Sequence, residues 1–192
     1  GIRDQPRSRG LGDVYKRQIL EVNPFNLPDV QLSKTSTHKI LSDLSTSKLI
    51  ANIESDQVSK LNSYLKSCKP NDYFGLLAYL PHNTSIDQAL RSMREKVARK
   101  YKIATTLGHG PSYLHSTGQL HKGGPNSGIF LMLTAPHTDD ISIPTKSYTF
   151  GQVTDADAIG DLQTLKKLKR RVVHIKLAND SSDAISRLTE HL

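Results

Sequence analysis

Cysteine is nearly absent from this sequence. Cys68 stands alone, which excludes an internal disulfide and any multi-cysteine metal site, and at the end of a helix with no activating neighbours it reads as a packed, inert thiol. Long apolar runs are missing too. The longest, around Phe74 to Leu80 and Ile129 to Leu133, fall well short of the roughly 18 residues that cross a bilayer and have the length of buried strands. No stretch has the form of a secretory signal, and no internal repeat or low-complexity tract interrupts the chain. These absences predict a soluble, cytoplasmic protein with no membrane partner. Also missing is the Gly-x-Ser-x-Gly elbow, so Ser112 and Ser116 gain no nucleophilic role from their neighbouring histidines.

Acidic residues are the remaining scarcity: 18 Asp and Glu against 26 Lys and Arg give a formal charge of +8. Five basic residues and two Asp in the first eighteen positions account for +3 of it, leaving a moderate +5 over the rest. That excess suits an anionic small molecule and gives no reason to expect nucleic acid. The tightest basic cluster, Lys166, Lys167, Lys169, Arg170 and Arg171, is expected to complement a helix C-terminus. Residues 1–18, GIRDQPRSRGLGDVYKRQ, lack helical or strand periodicity and resemble a translated sequencing linker. They are expected to be unfolded and foreign to the protein, with the native chain continuing upstream of Ile19.

What is present is a 36% hydrophobic chain able to bury one core. Asn26 and Pro28 open a helix to about Leu44, and a second follows Ser55 with Val58, Leu61 and Leu65 at helical spacing. Tyr73 to Leu80 reads as a buried strand. A helix begun by a Ser85/Gln88 capping box carries the stripe Ile86, Leu90, Met93 and Val97, and the strand Ile103 to Leu107 completes a βαβ unit. The strand Ile129 to Thr134 precedes a polar loop with His137, Asp139 and Asp140. A helix capped by Thr154 then presents Ala158, Leu162 and Leu165 inward. Arg171 to Leu177 predicts a half-exposed strand with Val173, Ile175 and Leu177 inward, and a short helix from Asp180 closes the chain. The expected class is α/β, with a mainly parallel sheet and flanking helices.

Between two apolar strands, residues 108–128 hold six glycines, two prolines, three histidines and Lys122. Ligands of α/β sheets bind beyond the strands' carboxyl ends, where glycines let backbone N–H groups approach a phosphate. Read as an open loop, the segment offers His115, Ser116, Thr117, Gln119, His121 and Lys122 to a polyhydroxylated phosphate ester. A metal held by His109, His115 and His121 is not expected, because a spacing of six suits neither a helix face nor a strand face.

Asn23 to Lys34, NPFNLPDVQLSK, resembles the catalytic-lysine signature of glucose-6-phosphate isomerases through Phe25, Asn26, Val30 and Lys34. Leu27 and Gln31 depart from its glutamine and glutamate, while Asp29 resembles the version found in isomerase domains fused to transaldolase. Three further segments, 75–80 (GLLAYL), 104–131 (ATTLGHGPSYLHSTGQLHKGGPNSGIFL) and 148–165 (YTFGQVTDADAIGDLQTL), resemble the C-terminal region of bifunctional transaldolase/glucose-6-phosphate isomerases. The resemblance implies a sugar-isomerase-like fold, with residues 19–50 ending the isomerase domain and 51–192 forming a C-terminal α/β domain. It further implies cofactor-free interconversion of glucose 6-phosphate and fructose 6-phosphate through a cis-enediol, with Lys34 catalytic. The carboxylate base and ring-opening histidine would lie upstream, leaving this fragment inactive by itself. The alternative is a non-catalytic module that binds a sugar phosphate or serves as an interface.

Overall fold

A strand covered by helices on both sides reads as an unbroken apolar run. Tyr73–Tyr79 (β1, YFGLLAY) and Gly128–Thr134 (β3, GIFLMLT) are such runs, and they lie side by side at the centre of a four-stranded sheet. The computed structural model describes residues 15, 18–21, 28–42, 57–179 and 181–192. Ala104–His109 (β2) and Arg171–Lys176 (β4) flank that centre, giving the order β2-β1-β3-β4 with every neighbour parallel. The expected α/β class with a parallel sheet and flanking helices is the one observed.

Among the described residues six helices surround the sheet: Pro28–Ser42 (α1), Gln57–Lys66 (α2), Thr84–Tyr101 (α3), Gly118–Gly123 (α4), Phe150–Lys167 (α5) and Ser182–Glu190 (α6). From β1 the chain steps outward through α3 to β2, then crosses back past β1 through a 3-10 turn at Ser112–His115 and α4 to reach β3. Because the direction reverses at β1, the connections fall on opposite faces. On one face α2, α3 and α6 bring Leu61, Leu65, Leu90, Met93, Val97 and Ile185 onto Phe74, Leu76, Ile129 and Leu131. On the other, Val30 of α1, Tyr113, Leu114, and Ala158 and Leu165 of α5 cover Leu77, Phe130, Met132 and Val172. Among the described residues no helix is long and apolar enough to cross a membrane.

Several boundaries differ from the sequence reading. Asn83, not Ser85, caps α3: its side chain accepts the Ile86 N–H at 2.9 Å, and Ser85 Oγ donates to the same oxygen. Thr149, not Thr154, caps α5, in a full capping box with Gln152, while Thr154 lies a turn inside and donates back to the Phe150 carbonyl. Ser181 caps α6, and Asp180 lies outside the described residues, as do Asn26 and Leu44. β2 runs to His109, two residues beyond the expected Leu107. In β4 the inward set Val173, Ile175 and Leu177 packs on one apolar cluster as expected and Lys176 is exposed, but the outward face is not open throughout, since Val172 is buried there and His174 Nε2 lies 2.9 Å from Thr134 Oγ1. Residues 108–128 are not an open loop but the end of β2, a 3-10 turn and α4, with α4 packed against α1.

The approach of α1 to α5 depends on Gly160. A Cβ there would stand 2.8 Å from Thr37 Oγ1 and 3.0 Å from the Ser33 carbonyl oxygen, so only glycine allows these backbones so close. Through this contact α1, part of the segment assigned by resemblance to the preceding domain, shares a core with the sheet.

Candidate functional site

The inner face of α5 follows helical spacing through Ala158, Leu162 and Leu165, but Asp161 interrupts it and is fully buried. A carboxylate in such a place needs a partner, and Lys122 supplies one: its Nζ stands 2.5 Å from Asp161 Oδ1, with neither side chain exposed to solvent. Ser33 Oγ of α1 donates to the same oxygen at 3.4 Å, and the Tyr113 hydroxyl donates to the other. The buried Tyr79 hydroxyl, without a hydrogen-bond partner, feels the charge of Asp161 and Asp157.

Burial dominates the electrostatics. It pushes Asp161 up to about 8 against the lowering effect of Ser33, and pushes Lys122 down to about 8 against the opposing charge of Asp29. The 2.5 Å contact between opposite charges favours the state in which one proton is shared by the two groups, so that the pair keeps no net charge in the core.

Around this pair the polar contacts tie α4 to its neighbours. Gln119 Nε2 donates to Asp29 Oδ2 at the start of α1 at 2.6 Å, and Gly123 lies directly against this contact where the helices meet. His121 is buried with Nδ1 2.8 Å from the Tyr73 hydroxyl, and burial followed by the Lys122 charge lowers it to about 4, keeping the ring neutral. Burial also raises Tyr73 to about 12. Arg170 donates to the carbonyls of Lys122 and, at 2.8 Å, Gly124, the orphan acceptors at the end of α4. Arg171 Nη1 pairs with Asp72 at 2.8 Å. The two arginines therefore clamp other elements rather than serve only as charge beyond the end of α5.

The residues singled out from sequence divide into groups. His121 and Lys122 are buried and Gln119 is half-buried, joined to α1. His115 and Ser116 are exposed, Thr117 is partly so, and Ser116 Oγ donates to the Tyr113 carbonyl at 3.2 Å. Lys34 is exposed on α1 beside the buried Ser33; burial raises the Asp157 carboxyl, and the Thr37 hydrogen bond, then His38 and Lys34, oppose that rise. His109, His115 and His121 do not meet, His109 lying instead at the carboxyl end of β2. Asp161, Tyr113, Tyr79, Tyr73, Asp29 and Ser33 were not read from sequence. Asp161 alone carried a signal, as a charge on an otherwise apolar helix face.

No family model matches the chain, and no curated protein matches it. Among solved structures, the crystal structure of a hypothetical protein from Thermus thermophilus resembles it with a TM-score of 0.51 and 20% identity, over 62% of this chain and 33% of that one. The chain thus spans about a third of the length of that structure, and the likeness is one of fold.

Proposed function

We propose that the chain is the C-terminal part of a cytoplasmic glucose-6-phosphate isomerase of the kind fused to transaldolase, interconverting glucose 6-phosphate and fructose 6-phosphate without a cofactor. One observation carries this reading. Segments remote in sequence that resemble the family meet around one buried pair: Ser33 of the lysine helix, Tyr113 and Lys122 of the glycine-rich segment, and Asp161 of the third all converge on one carboxylate. In this reading Gln119 anchors α1 directly and Lys122 does so through Asp161, His121 packs inward on Tyr73, and the exposed Lys34, His115 and Ser116 with the partly exposed Thr117 are left to face a sugar phosphate held with the upstream isomerase domain. Proton transfer across the cis-enediol falls to the upstream carboxylate. Lys34 supplies a positioned cation that stabilises charge developing on the sugar oxygens. Neither nucleic acid nor a membrane is a partner.

Replacing Lys34 with Ala in the full-length enzyme is expected to lower kcat by about 100-fold or more, the usual cost of removing one positioned charge, with the fold intact. Unchanged isomerisation would remove Lys34 from the mechanism. Leu27 and Gln31, which depart from the lysine signature, favour a second reading, a sugar-phosphate-binding or interface module without turnover. Saturable binding of glucose 6-phosphate by the full-length protein with no conversion would select it.

A further inference from the structure

The carboxyl ends of β1 and β2 hold a second cluster, on the other side of the sheet from the Lys122 pair. His82 follows β1, Asp87 lies in the first turn of α3, and His109 ends β2; one ligand atom from each falls within 4.8 Å of the others. The parallel pairing of β1 with β2, which sets Ala78 opposite His109, brings these distant positions together. The two imidazole rings lie with centroids 3.8 Å apart and planes tilted by 33°, and His109 Nε2 lies 3.4 Å from Asp87 Oδ1.

Two features of this cluster are unusual for surface residues that merely happen to be neighbours. Asp87 Oδ1 and His109 Nδ1 are both buried without a hydrogen-bond partner, although buried polar atoms are ordinarily satisfied. Two adjacent imidazoles beside one carboxylate also make a donor set with little to offer an anion, and one that suits a divalent cation with nitrogen preference. Burial, followed by the neighbouring His82, lowers His109, favouring the neutral imidazole that metal ligation requires.

We propose that His82, Asp87 and His109 form a divalent transition-metal site, with zinc the ion that best fits two imidazoles and a carboxylate. Three protein ligands leave a fourth position, and the exposed side of His82 opens it to water or to a ligand oxygen at the carboxyl edge of the sheet. The Asn83 cap fixes the start of α3 and with it the placement of Asp87.

The test is calorimetric titration of the chelator-treated, full-length protein with zinc chloride. Saturable binding of one zinc per chain at this site is expected, weakened at least tenfold in His82→Ala and in Asp87→Asn and unchanged in His137→Ala. His82 is exposed, so its removal leaves the core intact, and equal melting temperatures of the zinc-free parent and His82→Ala verify this. Added zinc is then expected to raise the melting temperature of the parent more than that of His82→Ala. Absence of saturable binding, or binding as tight in both His82→Ala and Asp87→Asn as in the parent, overturns the site.

Discussion

The two faces of the sheet are held by different physics. Against α2, α3 and α6 the core is apolar throughout, and charge stays at the rim, where Lys96 Nζ donates to the Thr189 carbonyl at 2.7 Å near the end of α6. Against α1, α4 and α5 the apolar cluster is smaller and encloses an ion pair, a tyrosine hydroxyl and a serine hydroxyl on one carboxylate. Apolar burial is non-directional and tolerates small shifts, whereas a desolvated carboxylate accepts partners from only a few directions. Val30 and Ile40 are the buried apolar side chains of α1, and Leu32 faces solvent. Polar contacts to Asp161 and Gln119 therefore do much to fix its register. One face of the sheet holds its helices by area; the other aims a helix.

The comparison breaks most visibly at Lys122. Lys122→Met leaves the Asp161 carboxyl buried without its cation, and the expected loss is about 5 kcal/mol at pH 8. Burial holds the folded Asp161 up to about 8, against 3.8 as its ordinary value. A raised folded pKa gives stability that is complete below the unfolded value and lost as pH rises through the folded one. The variant should thus lose about 1.4 kcal/mol per pH unit between pH 4 and 8, leaving a deficit of only about 1 kcal/mol at pH 5. The parent should stay nearly flat across that window, because the single proton shared across the 2.5 Å contact is the one Lys122 carries when unfolded. Adding Asp161→Asn to the variant removes the slope. Urea unfolding at several pH values reads all three; a single variant with no slope would mean that Asp161 is ionised without Lys122.

On the apolar face, Leu90→Ala deletes a fully buried side chain of α3, and about 3 kcal/mol should be lost through reduced transfer energy and the cavity left behind. Among the described residues, the fully buried side chains of that core are all apolar, so the loss should be equal at pH 5 and pH 8. A pH-dependent difference would show that the two faces are electrically coupled, and the contrast between them would fail.

The apolar face was also the legible one. Ile86, Leu90, Met93 and Val97 repeat at helical spacing, and β1 and β3 are unbroken apolar runs, so periodicity alone placed that half of the core. The other face hides its logic in long-range pairings. Lys122 and Asp161 lie 39 positions apart, and a lysine between histidine and glycine reads locally as an exposed ligand. Gly160, to which the sequence reading gave no role, permits the close approach of α5 to α1, which no local rule detects. His82 and Asp87 went unremarked because only the pairing of β1 with β2 sets them beside His109. Glycine and histidine density marked the right region for the wrong reason, since part of it packs inward.

The smallest effect concerns the outermost contact of the aimed helix. Gln119 Nε2 donates to Asp29 at 2.6 Å from a half-buried position, while its own Oε1 is buried without a partner, so Gln119→Leu removes one favourable bond together with one unsatisfied acceptor. The net cost to stability is expected at about 1 kcal/mol, read as a modest fall in the urea midpoint. On the proposed isomerase reading, if α1 is held by area, as the helices of the opposite face are, isomerisation by the full-length protein should change no more than stability does. If it is aimed, kcat should fall by an order of magnitude while KM moves little, because the substrate still binds and the Lys34 ammonium arrives misplaced. A change in KM alone would place Gln119 at the substrate and sever the link between this contact and the lysine helix.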